Sequence, residues 1–334
     1  MSKKAFDKEM GRWSAWHDPA TPLRLGVSSC LLGEEVRFDG GHARSRFVSD
    51  VLGGWFELVP VCPEVEIGMG TPRPTIRLFH DGKHVRLIAP STEEDFTDRM
   101  SSYAEKRVNE LQKADLDGYI LKKGSPSCGM ERIRVYDEQG MHRRDGVGMY
   151  AAVLTERWPA LPVEEDGRLN DADLRENFIE RVFCHNRWRS MVRRRLTRRR
   201  LVAFHTAHKL LLLSHNEAGY RRLGKLVGSA GQTPDSELFA AYETQLHHVM
   251  RTRATIKKHV NVLHHAIGFM KKTLPSPEKR DILGAIEDYG AGLIPLIVPL
   301  TLLGFNIRRY EVDYLAGQIY FNPHPKELML RNHV

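Results

Sequence analysis

The first half of the chain alternates short apolar runs with stretches of helical periodicity, and the second half drops the runs. LRLGVSSC (23–30) has the pattern of a buried strand ending in small residues, and FELVPVC (56–62) and DGYILKKG (117–124) repeat it. Between them, HARSRFVSDVLGGW (42–55) reads as a short helix that stops at glycines, and RLFHDGKHVRLI (77–88) as a hairpin turning at Asp81-Gly82. TEEDFTDRMSSYAEKRVNELQKAD (92–115) has a Thr cap, early acids and helical spacing, and VGMYAAVLTERW (147–158) predicts a closing helix. Strands separated by helices predict an α/β layer with a mainly parallel sheet.

LPVEEDGRLND (161–171) is polar and turn-rich and reads as a linker. Beyond it the pattern is helical: DADLRENFIERVFCHNRWRSMVRRRL, LVAFHTAHKLLLLSH, one long helix over 236–274 stopped by Pro275 and Pro277, and PEKRDILGAIEDYG. The expected organisation is an α/β domain over 1–160, a linker over 161–174 and an all-α domain over 175–334. No internal repeat is visible.

Composition adds compartment and redox state. Hydrophobic residues make up 41% and charged residues 28%, an ordinary globular balance. The N-terminal MSKKAFDKEMGRWSAWHDP has no continuous apolar run, so no signal peptide is expected. LIPLIVPLTLLGF (293–305) holds two prolines and falls short of the roughly 20 residues a spanning helix needs. These features predict a cytoplasmic chain without membrane partners. There thiols stay reduced, so the 4 cysteines point to metal binding or catalysis before disulfides.

Charge divides the chain unevenly. Residues 1–167 carry 23 Lys+Arg against 27 Asp+Glu, a net of −4, whereas residues 168–334 carry 27 against 15, a net of +12. Residues 181–200 alone hold nine arginines and no acid. Such a stripe is the electrostatic footprint of a polyanion partner. Arg187, Arg189, Arg193, Arg194, Arg195, Arg198, Arg199 and Arg200 are the expected phosphate-binding residues, with Trp188 stacking on unpaired bases.

KKGSPSCGMERIRV (122–135) places Cys128 in a turn of glycine, serine and proline, an unusual position for a thiol that merely packs. Cys30 and Cys62 each end a predicted strand, and Cys128 lies just past one. In open α/β sheets, ligands bind beyond the carboxyl ends of the strands. The three are 32 and 66 residues apart, with none of the paired spacing of a structural zinc site. Unconnected strand-end cysteines and a shared iron–sulfur cluster both fit that spacing. Three thiolates on a 4Fe–4S cluster would leave one iron open to substrate.

Together SSCLLGEEVRFDGGH (28–42), VPVCPEVEIGMGTPR (59–73) and LKKGSPSCG (121–129) resemble the thiouracil desulfidase family. The resemblance spans roughly residues 23–155 and carries all three cysteine motifs in order. It implies a 4Fe–4S cluster held by Cys30, Cys62 and Cys128, with one open iron that takes the sulfur of a thiocarbonyl base. It also implies Glu64 as a catalytic carboxylate and Ser125 as a catalytic serine. Phe38 stands where family members often carry tyrosine, a difference expected to bear on packing. The second half, through LVAFHTAHKLLLLSH and YFNPHPKELMLRN, resembles the YbgA-type domain. The combination is similar to the tRNA 4-thiouridine desulfidases (RudS-type proteins). That likeness implies conversion of 4-thiouridine in tRNA to uridine with release of sulfide, the helical domain holding the RNA. No obligate protein partner is evident.

Bland readings stand beside these. Glu64 also fits a solvent-facing loop acid, and Ser125 fits turn chemistry before Pro126. Lys122 and Lys123 read as solvated strand-end lysines, and Glu34 and Glu35 as solvent-facing. Cys184 sits among apolar neighbours as a core thiol. His205 and His208 share a helical face without a nearby carboxylate, and so read as core histidines before metal ligands. Two other functions stay open: desulfidation of free thiouracil-type bases, and a cluster-bearing redox sensor that binds nucleic acid without turnover.

Overall fold

A computed structural model describes residues 12–333; the first eleven residues of the charged N-terminal stretch, and Val334, lie outside the described residues. The described residues form two units, one of Thr21–Asn170 and one of residues 12–20 together with 171–333. Both expected boundaries therefore move. Residues 12–20 belong with the helices because their aromatic rings pack there: Trp16 meets Phe204 edge-on at 5.4 Å, and Trp13 meets Phe183 at 5.2 Å.

The α/β unit holds strands β1 (Arg24–Ser28), β2 (Glu57–Val61), β3 (Arg77–His80), β4 (Val85–Ala89), β5 (Glu94–Asp95), β6 (Gly118–Leu121), β7 (Ile133–Tyr136), β8 (His142–Gly146) and β9 (Val163–Glu165). Its helices are α1 (Pro63–Glu66), α2 (Thr97–Lys113) and α3 (Met149–Arg157). Four strands form the expected parallel sheet in the order β2-β1-β6-β9. The stretch read as a linker supplies its edge: Val163 pairs with Tyr119 and Glu165 with Leu121, and all three β9 residues are buried. Polar composition misled there, because both glutamates have internal donors; Glu164 accepts from Arg168 at 2.6 Å and Glu165 from the Met130 amide at 2.7 Å.

The hairpin belongs to a second sheet, ordered β5-β4-β3-β7-β8, in which only β3 and β7 run parallel. β8, HRRDG, is a polar exposed strand on its edge, a composition that discourages edge-to-edge pairing. The expected Thr92 cap is also displaced, since residues 94–95 pair with β4 and the helix begins at Thr97. The 42–55 segment winds as a π-turn over Phe47–Val51 and a 3₁₀ turn over Leu52–Gly54.

The second unit is all helical: α4 (Ala172–Arg193), α5 (Arg198–His215), α6 (Glu217–Gly228), α7 (Asp235–Arg251), α8 (Ile256–Met270), α9 (Ser276–Gly290), α10 (Ile297–Arg309) and α11 (Asp313–Ala316). Side chains cap the early helices, Asp171 accepting from the Leu174 amide at 3.0 Å and Asn216 from the Gly219 amide at 2.9 Å. The long helix expected over 236–274 is broken at Thr252–Thr255. Its apolar stripe lapses there: Tyr242, Leu246 and Val249 are buried, Arg253 and Ile256 are not, and burial resumes at His259 and Val262. Among the described residues no helix is long and apolar enough to cross a membrane.

Gly26 fixes how closely β1 and β6 approach. A Cβ there would run into the Tyr119 ring and lie 2.9 Å from Leu116. Gly26→Ala should therefore cost about 1–3 kcal/mol by overpacking, read as a lower urea midpoint of the α/β unit.

Candidate functional site

β2, β1 and β6 are neighbours and parallel, so their carboxyl ends share one edge of the sheet. Cys30 follows β1 in a 3₁₀ turn over Ser29–Leu32 that Gly33 closes at φ +99°. Cys62 follows β2 directly and stands at the N-terminus of α1, with Glu66 accepting its amide at 3.1 Å. Cys128 follows β6 at the end of a turn started by Gly124 at φ +74°. All three line one cavity of about 220 Å³, with Glu64, Ser125 and Lys122 also in its wall. The next glycine, Gly129, has no room for a Cβ, which would meet Ile133 and lie 2.9 Å from the Ser125 carbonyl.

Cys30 and Cys128 are buried and Cys62 half-buried, and none is in a disulfide. Burial pushes the Cys30 thiol up to about 11 and raises Cys62 and Cys128 as well. Positive charge brought to the site would return them toward the thiolate that a metal ligand requires. The separate loops and the all-thiol donor set fit a polynuclear iron–sulfur centre.

Glu64 sits on α1 and is held from two sides. Arg73, itself buried, donates to Oε2 through Nε at 2.9 Å and through a second guanidinium nitrogen. Ser125 lies 3.3 Å from Oε1, and the Ser127 hydroxyl donates to the same oxygen. Glu64 is thus no solvent-facing loop acid. Ser125 also accepts the Ser127 amide at 3.2 Å and the Cys128 amide at 3.1 Å, so it shapes the turn as well as facing the cavity.

Arg73 and Ser127 escaped the sequence reading. Arg73 sits between two prolines in TPRPT, where nothing in the spacing links it to Glu64 nine residues earlier. Lys122 is not a solvated lysine; its ammonium pairs with Asp166 at 3.0 Å and it lines the cavity. Phe38, expected to matter for packing, is 42% exposed on the cavity wall beneath the Arg37 guanidinium, 5.6 Å from its ring centre.

In the helical unit the arginine run divides by helix face. Arg187 and Trp188, expected to meet RNA, are each only 1% exposed. Arg187 donates to His208 at 3.0 Å and to the Pro323 carbonyl at 2.7 Å, and Trp188 stacks on Tyr242 at 5.2 Å. Neither is available to a nucleic acid in this fold. Arg189 is half-buried, whereas Arg193, Arg194, Arg195, Arg198, Arg199 and Arg200 are exposed around the α4–α5 turn. Acids do reach this run: Asp18 pairs with Arg194 at 3.1 Å and Asp235 with Arg198 at 2.6 Å. His205 bonds the Tyr242 hydroxyl at 3.1 Å and His208 the Phe204 carbonyl at 2.8 Å, while Cys184 is buried.

The class defined here is an α/β fold in which three cysteine loops and Glu64 line one cavity at the carboxyl edge of a parallel sheet. Residues 25–166 match the family model of 2-thiouracil desulfurase, and residues 209–325 match that of a protein of unknown function, DUF1722. YbbK of Bacillus subtilis (strain 168) is 32% identical over 150 residues, covering 43% of this chain and 97% of that protein. YbgA of Escherichia coli (strain K12) is 28% identical over 158 residues, covering 47% of this chain and 94% of that protein. A solved chain described as the 4Fe-4S-dependent thiouracil desulfidase TudS is 31% identical, covering 45% of this chain and 94% of that one, with a TM-score of 0.37. The chain belongs, through its α/β unit, to the 2-thiouracil desulfurase family. Membership carries the chemistry in the family's name, removal of sulfur from thiouracil-type substrates.

Arg73→Ala should strand the Glu64 carboxylate in a site where its own side chain is only 14% exposed. Breaking such a pair costs about 3–5 kcal/mol, to be read from urea unfolding of the variant beside wild type.

Proposed function

We propose that the protein removes sulfur from 4-thiouridine in tRNA, leaving uridine and sulfide, with Cys30, Cys62 and Cys128 holding a 4Fe–4S cluster. The observation that carries this reading is the convergence of three thiols, Glu64 and Ser125 on one cavity. When bound, the cluster supplies an open iron that stabilises the departing sulfur. The residues of the chain do the rest. Arg73 fixes Oε2 of Glu64, which leaves Oε1 beside the two serine hydroxyls. From there Glu64 takes a proton from the water that attacks the thiocarbonyl carbon. The C–S bond then breaks, the proton passes to sulfur, and C=S plus H₂O becomes C=O plus H₂S. Ser125 and Ser127 steady the carboxylate and relay that proton. The exposed Phe38 ring offers a face on which a pyrimidine stacks.

RNA capture falls to the exposed arginines around the α4–α5 turn, supported by the +12 charge of the second half. A second reading, free thiouracil as substrate, is favoured by the family to which the α/β unit belongs.

Two measurements test the shared chemistry and a third separates the substrates. Cys30→Ala, Cys62→Ala and Cys128→Ala, purified without oxygen, should each lose bound iron and the brown colour; iron retained in all three removes the ligand assignment. Glu64→Gln should keep its iron and lose about 10²-fold or more in kcat; unchanged turnover would take Glu64 out of the reaction. Arg195→Gln combined with Arg199→Gln should lower the slope of log affinity for tRNA against log salt by about 1.5 and leave turnover of free thiouracil alone. An unchanged slope would take these arginines out of RNA capture and favour the free base.

A further inference from the structure

The helical unit buries a second polar constellation that desulfidation does not use. Glu176 and Glu180 lie one turn apart on α4, and Arg331 bridges them, Nε to Glu176 Oε1 at 3.0 Å and a terminal nitrogen to Glu180 Oε1 at 2.6 Å. One guanidinium thus faces two buried carboxylates. His215 approaches Glu180 Oε2 at 3.1 Å, and His333 lies 3.8 Å from Glu176 Oε2.

His324 completes the group. It is 5% exposed, and its Nδ1 is 3.0 Å from the Pro325 carbonyl, so Nδ1 carries the proton and Nε2 keeps its lone pair. That Nε2 is buried and has no hydrogen-bond partner. A ring nitrogen held by a backbone carbonyl, with the other nitrogen bare, is the arrangement of a metal-ligating histidine. One ring nitrogen of His324 and one oxygen from each glutamate all lie within 4.8 Å of one another. The glutamates line a cavity of about 170 Å³, and His324 lines another of about 620 Å³.

The geometry points to a divalent-cation site formed by Glu176, Glu180 and His324 in the helical unit, separate from the cysteine-lined cavity. Two carboxylate oxygens and one imidazole suit a first-row ion such as Mn²⁺ or Zn²⁺. The ion supplies positive charge beyond what Arg331 provides, and it occupies the unpaired lone pair of His324.

Mn²⁺ is the probe of choice, because it favours oxygen and nitrogen over thiolate. Titration of the full-length protein, followed by the paramagnetic resonance of free Mn²⁺, should show one saturable ion per chain. That ion should persist when Cys30, Cys62 and Cys128 are all alanine, and Mn²⁺ should raise the melting temperature of the wild-type protein. His324→Ala keeps both carboxylates and the Arg331 bridge, and should weaken binding on the order of 10-fold or more. Glu176→Gln, which still offers Arg331 an acceptor, carries the same expectation if the histidine variant does not fold. No saturable binding by folded wild type, loss of binding in the cysteine variant, or equal affinity in wild type and either folded variant would overturn the assignment.

Discussion

Parallel pairing of three neighbouring strands is the constraint on which the site depends. β2, β1 and β6 hydrogen-bond side by side and point the same way, so loops 32 and 66 residues apart in sequence leave the sheet at one edge. β1 lies between the other two, and Gly26 at its centre lets the Tyr119 ring press against the backbone. A side chain there would push against the strand that delivers Cys128. The geometry of the cavity is therefore set inside the sheet, several residues before any cysteine is reached.

Buried arginines organise the polar chemistry of both units. Arg73 pins the one carboxylate that faces the cysteines, and Arg331 holds a carboxylate pair among the helices. Buried ion pairs add little net stability, because desolvation cancels much of the attraction. Their effect here is positional: Arg73 holds Oε2 of Glu64 through two nitrogens, and Arg331 gives one nitrogen to each of Glu176 and Glu180. In the α/β unit that hold turns Glu64 Oε1 toward Ser125 and Ser127.

The arginine run shows how a helix sorts a uniform sequence. Successive residues on a helix turn by about 100°, so eight arginines within fourteen residues do not share a face. Arg187 and Trp188 point into the core, where Trp188 stacks on Tyr242 and Arg187 meets His208. Only past Met191, at the α4–α5 turn, does the run reach solvent in full. Asp18 and Asp235 then offset part of its charge, contributed from stretches far away in sequence.

Local pattern determined much of this protein. Apolar runs ending in small residues placed β1, β2 and β6, helical spacing announced the second unit, and three cysteine motifs in order marked the family. These signals are legible because strand and helix periodicity, and the chemistry of a thiol in a glycine turn, are written within ten residues. Tertiary structure decided what depends on distant partners. It made β9 from a stretch that reads as a linker, because donors elsewhere satisfy its buried glutamates. It also joined Arg73 to Glu64, drew residues 12–20 to the helices, and hid Arg187 and Trp188. In each case the outcome turned on desolvation, whose cost depends on which groups the completed fold brings alongside.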